Sequence, residues 1–315
     1  MEGYKLTASS SPHIKSDQNV SKIMLDVLIA LIPALIASIF YFGVNSLILV
    51  AVSVVSAVLT ELLCQKLMKR PVTINDFSAA VTGLLLAFNI PSTAPIWLPI
   101  VGSFFAIAIA KQTFGGLGHN FINPALAGRA FLMASFMPYM TNFKAPMGID
   151  AIATATPLAI LKGTAESGAQ LPSLTEMLMG RIPGSLGETA ALLLIIGGIY
   201  LIVKKVISWK IPVAYIGTVA VIALITEKSL TGMTYHLLAG GLMLGAFFMA
   251  TDYASSPISS NGKIIYGVGA GLITMLIRKL GGYPEGVSYS ILLMNVLAPL
   301  IDKFTAPKVF GGVKK

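Results

Sequence analysis

The chain has 315 residues, of which 55% are hydrophobic and only 11% charged, with a mean hydropathy of +0.82 and a formal net charge of +9. Soluble domains carry about a quarter charged residues, so this composition excludes an ordinary water-exposed surface and leaves a chain solvated mostly by lipid. The basic residues are scattered through short loops rather than gathered on one face, which argues against nucleic-acid binding. The single cysteine, Cys64, excludes a disulfide framework, a thiolate metal site and a self-contained iron–sulfur cluster.

Polar residues including Lys5, Lys15 and Lys22 precede the first apolar run, and no small-residue cleavage site follows it, so a cleavable signal peptide is not expected. An apolar run of about 20 residues crosses the hydrocarbon core as a helix. On that basis ten crossings are predicted, at 23–43, 46–64, 77–92, 96–112, 120–138, 187–204, 211–227, 235–252, 263–280 and 285–302. The third and fifth are short and interrupted by Pro and Gly. This divides the chain into a tail (1–22), a five-helix repeat (23–138), a long polar segment (139–186), a second five-helix repeat (187–302) and a closing tail (303–315). His13, His119 and His236 lack ligand spacing, and no metal site is expected from them.

An even number of crossings puts both termini on one side. That side carries 15 of the Lys and Arg residues, from Lys5 to Lys315 and including Lys111; the other carries 6, among them Lys144, Lys162, Arg181 and the Arg278-Lys279 pair. The bias places both termini in the cytoplasm and the 139–186 segment outside it, with the Arg278-Lys279 pair as a local exception. Five spans followed by five imply inverted halves. Internal similarity points the same way: Gly83-Leu84-Leu85-Leu86-Ala87-Phe88 and Gly241-Leu242-Met243-Leu244-Gly245-Ala246-Phe247 each lead into a polar break. Likewise Gly115-Gly116 and Gly281-Gly282 precede Asn120–Leu132 and Gly286–Met294. Gly/Pro-broken spans at matching places suggest a central site lined by irregular backbone. Small residues that merely permit close helix packing are the competing account.

Six short motifs carry a family resemblance. They are Ser11-Pro12-His13-Ile14, Met24-Leu25-Asp26-Val27, Phe121-Ile122-Asn123-Pro124-Ala125, Gly184-Ser185-Leu186-Gly187-Glu188, Phe248-Met249-Ala250-Thr251-Asp252 and Leu292-Leu293-Met294-Asn295. In this order the chain resembles the D subunit of the Rnf electron-transport complex and the related B subunit of the sodium-translocating NADH:quinone oxidoreductase. The resemblance implies an all-α polytopic membrane protein, a ten-helix 5+5 inverted repeat similar to urea transporters. It implies FMN esterified through its phosphate to a threonine, a second, non-covalent flavin such as riboflavin, and ferredoxin:NAD+ oxidoreduction coupled to Na+ or H+ translocation in the cell membrane. Implied partners are the extracytoplasmic FMN-bearing G subunit, the membrane A and E subunits, and a flavin transferase during maturation.

The family's attachment signal reads Asp, about three residues, then Ser/Thr-Gly-Ala-Thr or a near variant. Here Asp150, Ala155 and Thr156 match, whereas Ala153 and Thr154 depart from it. The resemblance marks Thr156 as acceptor, with the hydroxyl of Thr154 as the alternative. Read without it, the stretch is an Ala/Thr loop before a helix starting at Pro157, a good first helical residue. Arg129 lies inside the fifth span, where a bare charge costs at least about 2.5 kcal/mol. Its expected partner is a flavin phosphate, flavin ring oxygens or a helix carbonyl end, or else a carboxylate such as Glu188. Asn120 and Asn123 offer uncharged donors and acceptors for the second flavin, or serve as a helix cap. Asp26, Glu61 and Asp252 near span ends suit an ion path. A cofactor-free transporter or channel on the same scaffold is the alternative function.

Overall fold

The computed structural model describes residues 18–146, 155–164 and 171–306, and every named element among them is helical. α1 (Val20–Phe42) and α2 (Val44–Leu67) form a hairpin that turns at Gly43, where φ is +80°. α3 (Ser78–Phe88) follows, then α4 (Trp97–Phe104), which continues as a π-helix over Phe105–Gln112, then α5 (Pro124–Ser135) and the single turn α6 (Met137–Met140). Two short helices, α7 (Pro157–Leu161) and α8 (Leu174–Met179), lie in the polar segment. The later helices are α9 (Ala191–Val203), α10 (Lys210–Glu227), α11 (Leu230–Leu238), α12 (Leu242–Leu244, continuing as a π-helix over Gly245–Met249), α13 (Ser260–Leu280) and α14 (Val287–Thr305).

Four of these helices, α1, α2, α10 and α14, are long and apolar enough to cross a membrane. α11 and α12, bent by 65° at their break, make a fifth if counted as one span. Three other expected crossings are corrected in length, whereas 263–280 lies within the 21-residue α13. The 77–92 run is an 11-residue helix, the 120–138 run a 12-residue one, and the 187–204 run a 13-residue one. At 1.5 Å per residue these reach about 16 to 20 Å, well short of a hydrocarbon core of about 30 Å. The 96–112 run is continuous but changes from α to π winding at Phe105, and the 235–252 run breaks at Ala239–Gly241. α5 starts at Pro124, a favoured first helical residue, because the proline ring disfavours a helical conformation at Asn123, which is extended.

Half-length helices leave end carbonyls that lipid cannot satisfy. The chain covers them with its own backbone. Gly187 N donates to Phe88 O at 3.0 Å and Leu186 N to Ile90 O at 3.0 Å, so the strand-like stretch before α9 closes the end of α3. Around this centre α2 packs on α3 and α4, α10 on α11 and α13, and α13 on α14. α1 packs on α9, and α5 on α14.

The α1–α9 contact depends on a missing side chain: a β-carbon on Gly197 would lie 2.3 Å from Ala30 O. Gly197→Val should therefore overpack this contact, at a cost of about 1–3 kcal/mol. Thermal unfolding in detergent measures it. Gly217→Ala is the control, because a β-carbon there meets nothing within 4 Å and the substitution removes a helix-weakening glycine.

Candidate functional site

α5 opens on Asn123, whose Oδ1 accepts from Leu126 N at 3.2 Å, and this cap sets the helix so that Arg129 is buried at 5% exposure. The guanidinium is a planar fork with several donors. Nη1 donates to Asn89 Oδ1 at 2.5 Å and to Glu188 Oε1 at 2.6 Å, while Nη2 donates to Glu285 Oε2. Glu285 also accepts from Gly241 N at 2.9 Å. One side chain thus joins α5, the end of α3, the stretch before α9, the α11–α12 break and the turn before α14. Gly241 is required here by close approach: a β-carbon would sit 2.7 Å from Oε1 of both Glu188 and Glu285. Of the partners expected for Arg129, the carboxylate Glu188 is present; Glu285 and Asn89 escaped sequence reading because no motif or periodic pattern links them to Arg129.

Arg278, 3% exposed, lies behind this network. It donates to His236 O at 2.5 Å, Ala239 O at 3.2 Å and Glu285 O at 3.1 Å, satisfying the carbonyls that the break in α11 leaves open. Its neighbour Lys279 pairs with Glu227. The apparent exception to the charge bias is therefore corrected: Arg278 is a buried structural cation, not a loop charge. Lys111 is corrected likewise. It is 2% exposed, paired with Glu61 at 2.8 Å and bonded to Ser78 Oγ at 2.6 Å. Setting both aside leaves the bias unchanged in sign.

A cleft with an accessible volume of about 90 Å³ opens beside the ion network. Its lining includes Arg129, Glu188, Glu285, Thr156, Met133 and Phe143, with Tyr283 and Tyr289 stacked at 5.7 Å and 28°. Two further lining residues, Thr189 and Ser288, have buried hydroxyls with no hydrogen-bond partner among the described residues. Thr156 is the N-cap of α7, accepting from Ala159 N at 3.4 Å, and Pro157 is the first helical residue as expected. α7 is held in place at both ends. Leu158 is buried with Met177, Ile182 and Ala239, and Lys162 Nζ donates to Tyr283 O at 2.8 Å and to Gly281 O. Ala155 precedes Thr156, half-buried, whereas Asp150 and Thr154 lie outside the described residues.

A second cleft, also with about 90 Å³ of accessible volume, is lined by Asn120, Asn123, Lys111, Thr82, Phe248 and Asp252. Asn120 Nδ2 donates to Asp252 Oδ2 at 3.2 Å, and Asn123 Nδ2 to Met249 O at 3.1 Å. Asn123 is thus both cap and cleft wall. Asp252 lines this cleft; Asp26, bonded by Tyr200 at 2.7 Å, and Glu61, held by Lys111, do not. The clefts lie toward opposite ends of α1. Ile23, Met24 and Val27 line the second, while Tyr41 bonds Met179 O, three residues from Ile182 in the wall of the first.

Half-length helices meeting at a buried ion network, with a cleft toward each end of a long apolar helix, define a polytopic membrane protein with an interior polar centre. The chain belongs to the NQR2, RnfD, RnfE family, whose sequence model matches residues 7–311. It is 54% identical to the D subunit of the Na(+)-translocating ferredoxin:NAD(+) oxidoreductase complex of Acetobacterium woodii, over 100% of this chain and 98% of that one. It is 49% identical to the D subunit of the proton-translocating ferredoxin:NAD(+) oxidoreductase complex of Clostridium ljungdahlii, over 97% and 96%. It is 37% identical to the D subunit of the ion-translocating oxidoreductase complex of Escherichia fergusonii, over 97% and 98%.

Arg129→Met should cost about 3–5 kcal/mol, because it strands the buried carboxylate of Glu188 and the half-buried one of Glu285. Adding Glu188→Gln and Glu285→Gln should recover most of the loss. Melting of the detergent-solubilised protein compares the single and triple variants.

Proposed function

We propose that this chain is the membrane redox subunit of an ion-translocating ferredoxin:NAD+ oxidoreductase, bearing FMN on Thr156 and a second flavin in the Asn120 cleft. The family membership and the names of the similar proteins support the complex. The observation that carries the flavin reading is the position of Thr156: the residue marked as acceptor lines a mostly apolar cleft whose wall holds stacked tyrosines and two hydroxyls with no partner among the described residues. These residues fit a flat ring with a polar edge. The isoalloxazine ring, when bound, supplies one- or two-electron chemistry.

The chain's own residues hold and shield the ring. α7, pinned by Leu158 and Lys162, sets the tether point. Met133, Phe143 and Pro157 exclude water, and Tyr283 and Tyr289 offer flat faces. Arg129 is already neutralised by two carboxylates, so it shapes the wall rather than pairing with a phosphate. In the Asn120 cleft, the amides of Asn120 and Asn123 present the uncharged edge that suits a neutral flavin.

In this reading Thr156 and its cleft would hold a flavin able to exchange electrons with an extracytoplasmic flavin on the G subunit, the A and E subunits would lie alongside, and the assembly would move Na+ or H+. The transferase that forms the ester acts outside the cytoplasm, on the side to which the charge bias assigns 139–186. The ten-span inverted repeat with both termini cytoplasmic belongs to the same reading, in which α3, α5 and α9 complete their crossings with the non-helical stretches that flank them. Its support is that α2 packs on α3 and α4, and α4 on α5, as α10 packs on α11 and α13, and α13 on α14, with the α1–α9 and α5–α14 contacts between the halves.

The subunit taken from its native membrane should show flavin fluorescence at its band on a denaturing gel. Thr156→Val should abolish the signal and Thr154→Val should leave it. The reverse pattern would move the acceptor, and a dark wild-type band would leave a cofactor-free transporter as the reading.

A further inference from the structure

The Thr156 cleft contains a feature that the tether does not explain. Thr189 and Ser288 enter its wall from the two ends of the second repeat, the first just before α9 and the second in the first turn of α14. They are 2% and 6% exposed. Neither Thr189 Oγ1 nor Ser288 Oγ has a hydrogen-bond partner among the described residues. Several other buried hydroxyls do have partners. Ser53 donates to Gly83 O, Thr82 to Ser78 O, and Tyr215, Thr274 and Ser290 bond one another. Ser46 and Ser92 also lack a partner among the described residues, but neither lines this cleft. A buried hydroxyl left unpaired carries a desolvation penalty, and native chains keep few of them. Two in the wall of one cleft point to a partner that enters the cleft.

We propose that Thr189 and Ser288 are the residues that recognise the polar edge of the occupant of the Thr156 cleft, each through one uncharged hydrogen bond. The occupant class is a flat heteroaromatic ring with carbonyl and N–H groups along one edge. A hydroxyl serves either kind of group, since it donates once and accepts twice. The inference rests on the reading that Thr156 carries the flavin. It adds specificity: the tether fixes where the phosphate is, and these hydroxyls fix which way the ring lies. Being uncharged, they do so without adding to the ion network of Arg129, Glu188 and Glu285.

The test uses isosteric removal in two backgrounds. Thr189→Val and Ser288→Ala are made in the full chain, once with Thr156 intact and flavinylated and once with Thr156→Val. In the tether-free background each substitution should leave the melting temperature unchanged or raise it, because it deletes an unpaired buried group. In the flavinylated protein each should lower the melting temperature and shift the visible absorption bands of the flavin, with the yield of covalent flavin retained. Equal changes of melting temperature in both backgrounds, with an unshifted flavin spectrum, would overturn the proposal. A wild-type chain with no covalent flavin is a separate outcome: it refutes the tether. The hydroxyls are then examined by adding free riboflavin to the wild type and to Thr189→Val. Equal affinity in that assay also counts against them.

Discussion

The structure depends on the need to neutralise one guanidinium away from water. Arg129 is buried at the middle of a half-length helix, and its two carboxylate partners come from turns 59 and 156 residues away. Such a triad is weak evidence for net stability, because desolvation offsets much of the attraction. What it does is impose register. Breaking any arm leaves an uncompensated charge, so the turns before α9 and α14 must come to α5 together. Gly241 completes the arrangement by letting the α11–α12 break approach both carboxylates.

The same requirement organises the broken helices. A helix that ends inside a bilayer must give its terminal carbonyls to some donor. Here the donors are the chain's own: backbone amides of Leu186 and Gly187 at α3, the Arg278 guanidinium at α11, and the Lys162 ammonium at α13. Each donor also defines a wall. The stretch around Gly187 delivers Glu188 and Thr189, Arg278 fixes the turn with Glu285, and Lys162 fixes α7 with Thr156. The clefts are consequences of how interrupted helices satisfy their ends, and the proposed redox role uses space that this arrangement leaves.

The two clefts differ in charge logic. One is bordered by a guanidinium held between carboxylates and by neutral hydroxyls. The other has Asp252 held by Asn120 and Ser255, with Lys111 committed to Glu61. In both, the charged groups are paired or hydrogen-bonded within the chain. Uncharged groups are then left to meet an occupant, which suits a neutral ring more than an ion.

The sequence alone determined membrane class, the long spans α1, α2, α10 and α14, the helix start at Pro157 and the isolation of Arg129. Each follows from local composition: run length, missing N–H groups or a charge amid apolar residues. It also marked the family through ordered short motifs, one of which contains Glu188. Only the tertiary structure decided that α3, α5 and α9 stop short, because hydropathy does not distinguish a helix that crosses lipid from one that ends against covering backbone. Only it showed that Lys111 and Arg278 are interior cations rather than loop charges, since burial depends on partners remote in the chain. The meeting of Arg129 with Glu285, and of Thr156 with Thr189 and Ser288, was illegible for the same reason. Those pairs are separated by many residues and no periodic pattern links them; what brings them together is the closure of broken helix ends by distant donors.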